Sequence, residues 1–404
     1  MTVSGLITPR STRVESSTDA PRRLLFLFAD TGGGHRAGAQ AVAGEVRARH
    51  GDGFDVHLLD PFAEAAPRLM SRIVDLYSPL IRFAPWAWGL GYHVTDTRAG
   101  VRAMRGGFLR FVEPGLAAVI RELQPAAVVS FHPLLNHVSA RVVRLPGVPH
   151  VPVVTVITDL VDVHASWTCS EVDAVVTPSP GGLDHCRRVG IAADRCHDLG
   201  LPVGAAFTRS PPDREERRAI RGALGLDPDR FTVLLTGGGE GSGGMARRLR
   251  PLLRARLDLQ VVVICGRNTA LFERLREVSA VPPTRLRVEG FVANMAEWLR
   301  AADVAITKAG PGTIAEALCS GTPLLLASYL PGQERANVGY VVSTGAGRWV
   351  PHPAELVDTV RELATPGSPA LAAMRDALGH AARPAAAARI ADLVCQLAAA
   401  GVRS

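Results

Sequence analysis

Lysine is almost missing from this sequence. Lys308 is its one lysine, so arginine supplies nearly all of the 45 basic side chains and of the formal net charge of +7 over 404 residues. Such a bias is first a compositional habit, but a chain of pI about 9.5 is drawn to phosphate-bearing surfaces whichever residue carries the charge. No nucleic-acid module signature accompanies it, which excludes nucleic acid as the expected partner and leaves lipid headgroups and nucleotides. Long apolar runs are missing too: Leu24–Ala29 and Val151–Ile157 are short beside the roughly 20 residues that span a bilayer. Residues 1–22 are polar and lack the apolar stretch of a secretory signal, so they read as a disordered lead-in to a cytoplasmic protein. The six cysteines (Cys169, Cys186, Cys196, Cys265, Cys319, Cys395) form no CxxC pair, and His185-Cys186 and Cys196-His197 read as packing residues of a reducing compartment rather than a metal site. Apolar residues at 47% and charged residues at 21% then describe a folded globular chain, long enough for two domains.

From Arg23 onward, short β-branched runs alternate with longer amphipathic stretches, the pattern of parallel βαβ units. Strands are expected at Leu24–Ala29, Phe54–Leu59, Ala126–Phe131, Val151–Thr158 and Ala174–Thr177, with a helix over Gly34–His50. Thr208–Asp213 is proline-rich and polar, the composition of a linker. A second series follows, with strands expected at Thr232–Leu235, Gln260–Cys265, Leu286–Val288, Val304–Thr307 and Pro323–Leu326. Pro369–Ala400 is alanine-rich and helix-forming, with a kink expected beside Pro384. The fold class expected is α/β, two Rossmann-like doubly wound parallel-sheet domains facing a cleft. Their bounds are 23–207 and 208–355, followed by terminal helices over 356–404.

Four segments carry candidate chemistry. Asp30-Thr31-Gly32-Gly33-Gly34-His35-Arg36 follows the first strand; its glycines allow close approach of a ligand, and the following helix points its first amides there. It is neither GxGxxG nor a Walker A motif. His35 opens that helix, as a cap or packing residue or as a base that titrates near neutrality. Gly237–Gly244, GGGEGSGG, sits at the matching place in the second half and offers backbone amides to a diphosphate. In Thr307–Ala317, TKAGPGTIAEA, Pro311 suits a first helical turn. The amides of Gly312 and Thr313 would face an anion, and Glu316 one turn on could hold a ribose diol. Pro331–Asn337, PGQERAN, places Gln333, Glu334 and Asn337 along one edge, groups suited to sugar hydroxyls or to plain helix capping.

With these segments in order, the chain resembles the monogalactosyldiacylglycerol synthases and processive diacylglycerol glucosyltransferases of glycosyltransferase family 28. The resemblance rests on DTGGGHR at 30–36, FHPL at 131–134 and TVITDL at 155–160 with His164 and Trp167. It continues through GGGEG at 237–241, CGRN at 265–268, GFVANM at 290–295, TKAGPGTIAEAL at 307–318 and PGQERAN at 331–337. It implies a GT-B fold, with the acceptor and membrane in the N-terminal half and a UDP-sugar in the C-terminal half. Gly237, Gly238, Gly239, Gly312 and Thr313 would then hold the diphosphate. Gly290, Phe291 and Val292 would meet the uracil, Glu316 the ribose, and Gln333, Glu334 and Asn337 the sugar. Glu240, Arg267, Asn268, Met295, Gly310 and Pro311 belong to the same donor motifs; Gly33, Gly34, His132, His164 and Trp167 belong to the acceptor side. Transfer would be inverting and would use no metal and no cofactor, the UDP-sugar being a substrate; Asp227-Pro-Asp229, the one DxD-like string, reads as a turn. His35 is the expected base, with Asp159 as its rival or orienting partner.

The lipid side is legible in residues 62–111, which hold Phe62, Tyr77, Phe83, Trp86, Trp88, Tyr92, Phe108 and Phe111 interleaved with Arg68, Arg72, Arg82, Arg98, Arg102, Arg105 and Arg110. Apolar positions in Leu69–Leu80 recur at helical spacing. Aromatics with arginines fit either an anionic membrane surface or a core helix with a basic outer face, and the resemblance favours the membrane. The expected activity is transfer of galactose or glucose from a UDP-sugar to a lipid acceptor such as diacylglycerol, by a peripheral enzyme on the inner face of the cell membrane. Transfer of N-acetylglucosamine to a polyprenyl-linked intermediate, a UDP-sugar epimerase and a non-catalytic nucleotide-sugar sensor are the alternatives.

Overall fold

Strands such as Ala127–Ser130, Val153–Val156 and Leu259–Ile264 are buried at every position, so each must be covered on both faces, and that demand dictates helices above and below a parallel sheet. This computed structural model describes residues 20–29, 33–64, 80, 84–107 and 109–401. Two six-stranded parallel sheets result. The first is built from β1 (Arg22–Leu27), β2 (Phe54–Leu59), β3 (Ala127–Ser130), β4 (Val153–Val156), β5 (Ala174–Thr177) and β6 (Cys196–Asp198), in the order β2-β1-β3-β4-β5-β6. The second uses β7 (Phe231–Thr236), β8 (Leu259–Ile264), β9 (Arg285–Glu289), β10 (Val304–Lys308), β11 (Leu324–Ser328) and β12 (Gly347–Trp349), in the order β12-β11-β10-β7-β8-β9. The expected α/β class and the ten expected strands are present. The edge strands β6 and β12 were not expected; each has three residues.

Each sheet reverses its order once, between β1 and β3 and between β7 and β10. Connections leave in opposite directions there and open a crevice at the carboxyl ends of those strands. Both glycine-rich turns fall at such a reversal.

Helix α1 (Gly34–His50), with the bounds read from the sequence, covers one face of the first sheet. Its neighbour comes from the far end of the chain. The expected kink at Pro384 is a full break: one helix ends at Ala381 and the last, Ala386–Ala400, crosses back to the N-terminal half. There Ala387, Ile390, Ala391 and Val394 join Leu24, Phe26, Val42 and Val46 in one core. Burying each large aliphatic there is worth about 1.5–3 kcal/mol. Arg383 pins the crossing through Asp198 on β6, at 2.9 Å.

Asp227-Pro-Asp229 is a bend, with Asp227 paired to Arg230 and Arg285 and Asp229 to Arg218. All six cysteines are buried and unpaired. Among the described residues, no helix is long and apolar enough to cross a membrane. The helix expected over Leu69–Leu80 lies outside the described residues save for Leu80, as do residues 1–19 of the lead-in, Tyr77, Phe83, Phe108, Arg68, Arg72 and Arg82.

One buried charge network fixes the second domain. Asp303 accepts from Arg221 at 2.6 Å, from Arg375 at 2.8 Å and from the Thr232 amide at 2.8 Å. Arg221 is 5% exposed, so removing the carboxylate leaves its charge uncompensated. Asp303→Ala is therefore expected to lower unfolding stability by about 3–5 kcal/mol, read from urea melts.

Candidate active site

Gly33 caps α1 with φ 83°, a left-handed conformation that glycine adopts without the steric cost of a Cβ. No side chain caps the helix, which leaves its first amides open at the β1–β3 crevice. His35 is the second residue of α1. Its Nδ1 lies 2.8 Å from Thr158 Oγ1, and the Phe131 carbonyl also meets the ring. Burial pulls its pKa down to about 4 against that carbonyl's opposing pull, so at neutral pH the imidazole is unprotonated and able to take a proton. His132 stands edge-on to it, ring centroids 4.9 Å apart. Burial, and then the neighbouring His35, hold the His132 pKa well below its usual value.

Asp159 follows Thr158 but turns elsewhere. Its Oδ2 accepts from Trp167 Nε1 at 2.7 Å and its Oδ1 from Gln333 Nε2 at 2.9 Å, the second bond arriving from the other domain. Burial raises its pKa to about 6, with the Gln333 and Trp167 bonds pulling the other way. The expectation that Asp159 orients His35 is thus corrected: the group on the imidazole is Thr158. Trp167, expected to face the acceptor, is completely buried and supplies Asp159 with a donor. His164, expected beside it, is buried as well, with Nδ1 at 2.7 Å from Ser166 Oγ and Nε2 at 3.2 Å from the Tyr92 carbonyl.

The second crevice holds the Gly237–Gly244 loop and the start of α2 (Pro311–Cys319). That helix begins on Gly310 with no side-chain cap, so the amides of Gly312 and Thr313 are open. A Cβ placed on Gly238 would lie 3.8 Å from Thr313 Oγ1 and 3.9 Å from Lys308 Cε, so the loop, the helix start and the lysine share one cradle. Lys308 is ion-paired there with Glu334, whose other oxygen accepts from the Leu330 amide at 2.8 Å. Arg248, which the sequence did not single out, anchors the loop by donating to the carbonyls of Gly243, Gly244 and Ala327. Burial raises the Glu316 pKa to about 7.

The residues expected along one sugar-facing edge each have a protein partner. Gln333 precedes the helix Arg335–Thr344 and reaches Asp159, Glu334 holds Lys308, and Asn337, 1% exposed, donates to the Ala309 carbonyl at 2.9 Å. Asn268 likewise caps Thr269–Arg276 and holds the Gly241 carbonyl. Phe291 is 63% exposed beneath the Arg267 guanidinium, 5.5 Å from its ring. Met295 begins a helix beyond it, and Gly290 bonds to the Gly266 amide through its carbonyl. Arg267 Nη1 lies 3.6 Å from where a Cβ on Gly33 would sit and 3.7 Å from one on Gly239, so it touches both glycine turns.

Residues 35–203 match the family model described as monogalactosyldiacylglycerol (MGDG) synthase, and 232–390 that of the glycosyltransferase family 28 C-terminal domain. The chain is 35% identical over 381 residues to the chloroplastic monogalactosyldiacylglycerol synthase of Spinacia oleracea, covering 92% of this chain and 72% of the relative. The chain belongs to the monogalactosyldiacylglycerol synthase family. Monogalactosyldiacylglycerol synthase 1 of Arabidopsis thaliana, also chloroplastic, is 34% identical over 380 residues, covering 92% of this chain and 70% of the relative. In fold the family member is similar to MurG of Acinetobacter baumannii, with TM-score 0.61, 18% identity and coverage of 93% and 100% of the two chains. It is also similar to the glycosyltransferase of kitacinnamycin, with TM-score 0.59, 16% identity and coverage of 94% and 100%. The architecture is that of GT-B glycosyltransferases, and the chain is a UDP-sugar-dependent hexosyltransferase.

Thr158 and Arg248 were missed by sequence reasoning; the only signal for Thr158 was its place in TVITDL, and Arg248 had none. The two candidate bases are separable by titration. A base must be deprotonated to act, so activity is lost as pH falls through its pKa. With His35 as base the acid limb of kcat/KM is expected near pH 4; a limb near pH 6 would assign the role to Asp159.

Proposed function

We propose that this enzyme transfers galactose from UDP-galactose to diacylglycerol, with inversion, and needs no metal or cofactor for the step. The observation that carries this reading is Arg267, lying against both Gly33 and Gly239 so that two glycine turns on two sheet reversals close on one space. The family membership supports the chemistry, since its named relatives are galactosyl-diacylglycerol synthases.

In this reading the Gly237–Gly239 amides and those of Gly312 and Thr313 receive the diphosphate as negative charge grows on it. A helix start contributes roughly 0.3–1 kcal/mol to such an anion when exposed and up to ~2 when partly buried. Gly310 and Pro311 set that helix start, and Lys308 adds a cation beside it. Gly290, Phe291 and Val292 meet the uracil, Glu316 the ribose diol, and Gln333 and Glu334 the sugar, with Asn337, Asn268, Met295 and Glu240 shaping the walls. His35, placed by Thr158, takes the proton of the acceptor hydroxyl, and Gly34 and His132 line its side of the cleft.

The acceptor lies in a membrane, and the helix Pro85–Thr95 offers the surface to reach it. Trp86, Leu90 and Val94, four residues apart, are 71%, 62% and 66% exposed on one face. Arg98 and Arg102 on the next helix are exposed beside it, a charge complement for anionic headgroups. The enzyme therefore works as a peripheral protein, on the cytoplasmic face of its membrane.

His35→Ala is expected to lower kcat by about 10²–10⁴-fold while UDP still binds, measured with UDP-galactose and diacylglycerol vesicles. Near-normal turnover would remove His35 as the base, while an epimerised donor, or binding without turnover, would replace the whole reading. Glu316→Gln is expected to weaken UDP binding about tenfold by calorimetry, because a diol bound to a carboxylate loses a charge-assisted bond.

A further inference from the structure

The helix Pro85–Thr95 has a second face, and that face is spent on both sides of the cleft. Toward the N-terminal domain, Tyr92 stacks edge-on to His164 at 4.6 Å, and its hydroxyl donates to the Asp162 carbonyl at 3.5 Å. The Ala165 amide donates to Asp96 Oδ1 at 2.7 Å, just past the helix end. These contacts fall on the segment that begins with Asp159. Toward the C-terminal domain, a Cβ on Gly89 would lie 3.0 Å from Pro331 Cβ and 3.3 Å from the Pro331 carbonyl oxygen. One on Gly332 would lie 3.2 Å from Tyr92 Cβ. Pro331 and Gly332 lead directly into Gln333, which closes the cleft through its bond to Asp159. The helix thus touches the segments that carry both ends of the bond joining the domains.

We infer that this helix is a clasp: its inner face, at Gly89 and Tyr92, sets the turn that presents Gln333, so that seating its outer face on a lipid surface and closing the donor site are one event. The inference rests on the lipid-surface reading of Trp86, Leu90 and Val94 and adds its consequence for the donor. A helix held in the lipid surface loses freedom to tilt, and the turn packed against it is held in the closed position. Closure in turn favours the donor, because Gln333 and the two glycine turns then surround one space. Coupling between two binding events is reciprocal, so donor-side ligand must tighten lipid binding by the factor with which lipid tightens the donor side. Gly89 is where the device can be wedged without touching the exposed stripe: any larger side chain there drives against Pro331.

The test uses the intact chain, UDP as the donor-side probe, and vesicles of phosphatidylglycerol and phosphatidylcholine. Vesicles are expected to lower the UDP Kd by about fivefold or more, and UDP to tighten vesicle binding by the same factor. Gly89→Leu is expected to keep vesicle binding and UDP binding in solution while abolishing the vesicle effect on UDP; Gly89→Ala should weaken that effect part-way. Vesicle binding by the wild-type chain with unchanged UDP affinity would overturn the clasp alone. No vesicle binding at all would overturn the lipid reading and the clasp with it. A Gly89→Leu chain that keeps full coupling would show that the closure runs through other contacts.

Discussion

The arrangement depends on one buried carboxylate that neither domain can satisfy alone. Asp159 is 5% exposed, and an ionised carboxylate at that depth is costly unless donors surround it. Trp167 brings one donor from within its own domain, Gln333 the other from across the cleft. Opening the cleft removes the second donor and returns that oxygen to water or to whatever ligand has entered. The charge balance of the site and the distance between the domains are therefore a single variable. A pKa near 6 is what such a half-compensated group has, set between the desolvation that raises it and the two bonds that lower it.

Around that bond the two halves repeat one device. A parallel strand ends, a glycine precedes the helix, left-handed at Gly33 and extended at Gly310, and the helix begins without a side-chain cap. The first-domain copy carries an unprotonated imidazole, and the second carries open amides, a lysine and a carboxylate balanced near neutrality. Neither copy is a transfer site by itself. In the proposed transfer one half removes a proton, the other accepts the charge of the departing diphosphate, and displacement requires both at once. Lys308 is held by Glu334, which spares the cradle an unpaired cation.

How much of this could be read in advance varies with the kind of information. Gly34–His50 could be bounded to the residue because helical periodicity, glycine before it and glycine after it all agree. The strands of the interior were legible as β-branched runs, whereas Cys196–Asp198 and Gly347–Trp349 were not, since three mixed residues at a sheet edge carry no period. The candidate site was legible as segments: His35, the GGGEGSGG loop, the helix start at Gly312 and Glu316 all lie at the crevices. It was not legible as contacts. Asp159 was expected as rival or orienting partner of His35, yet successive residues of an extended segment point to opposite sides, so Thr158 meets the imidazole and Asp159 does not.

By itself, then, the amino-acid order determined two doubly wound domains, the turns that lie at their strand ends and the family to which they belong, because those follow from short-range periodicity and local backbone freedom. Only the tertiary structure decided which side chains meet across the cleft. It turned Asn337, Trp167 and His164 inward, assigned Glu334 to Lys308, returned the last helix to the first domain and laid Gly89 against Pro331. Those outcomes depend on burial and on contacts between residues as much as hundreds of positions apart, and no local pattern encodes them.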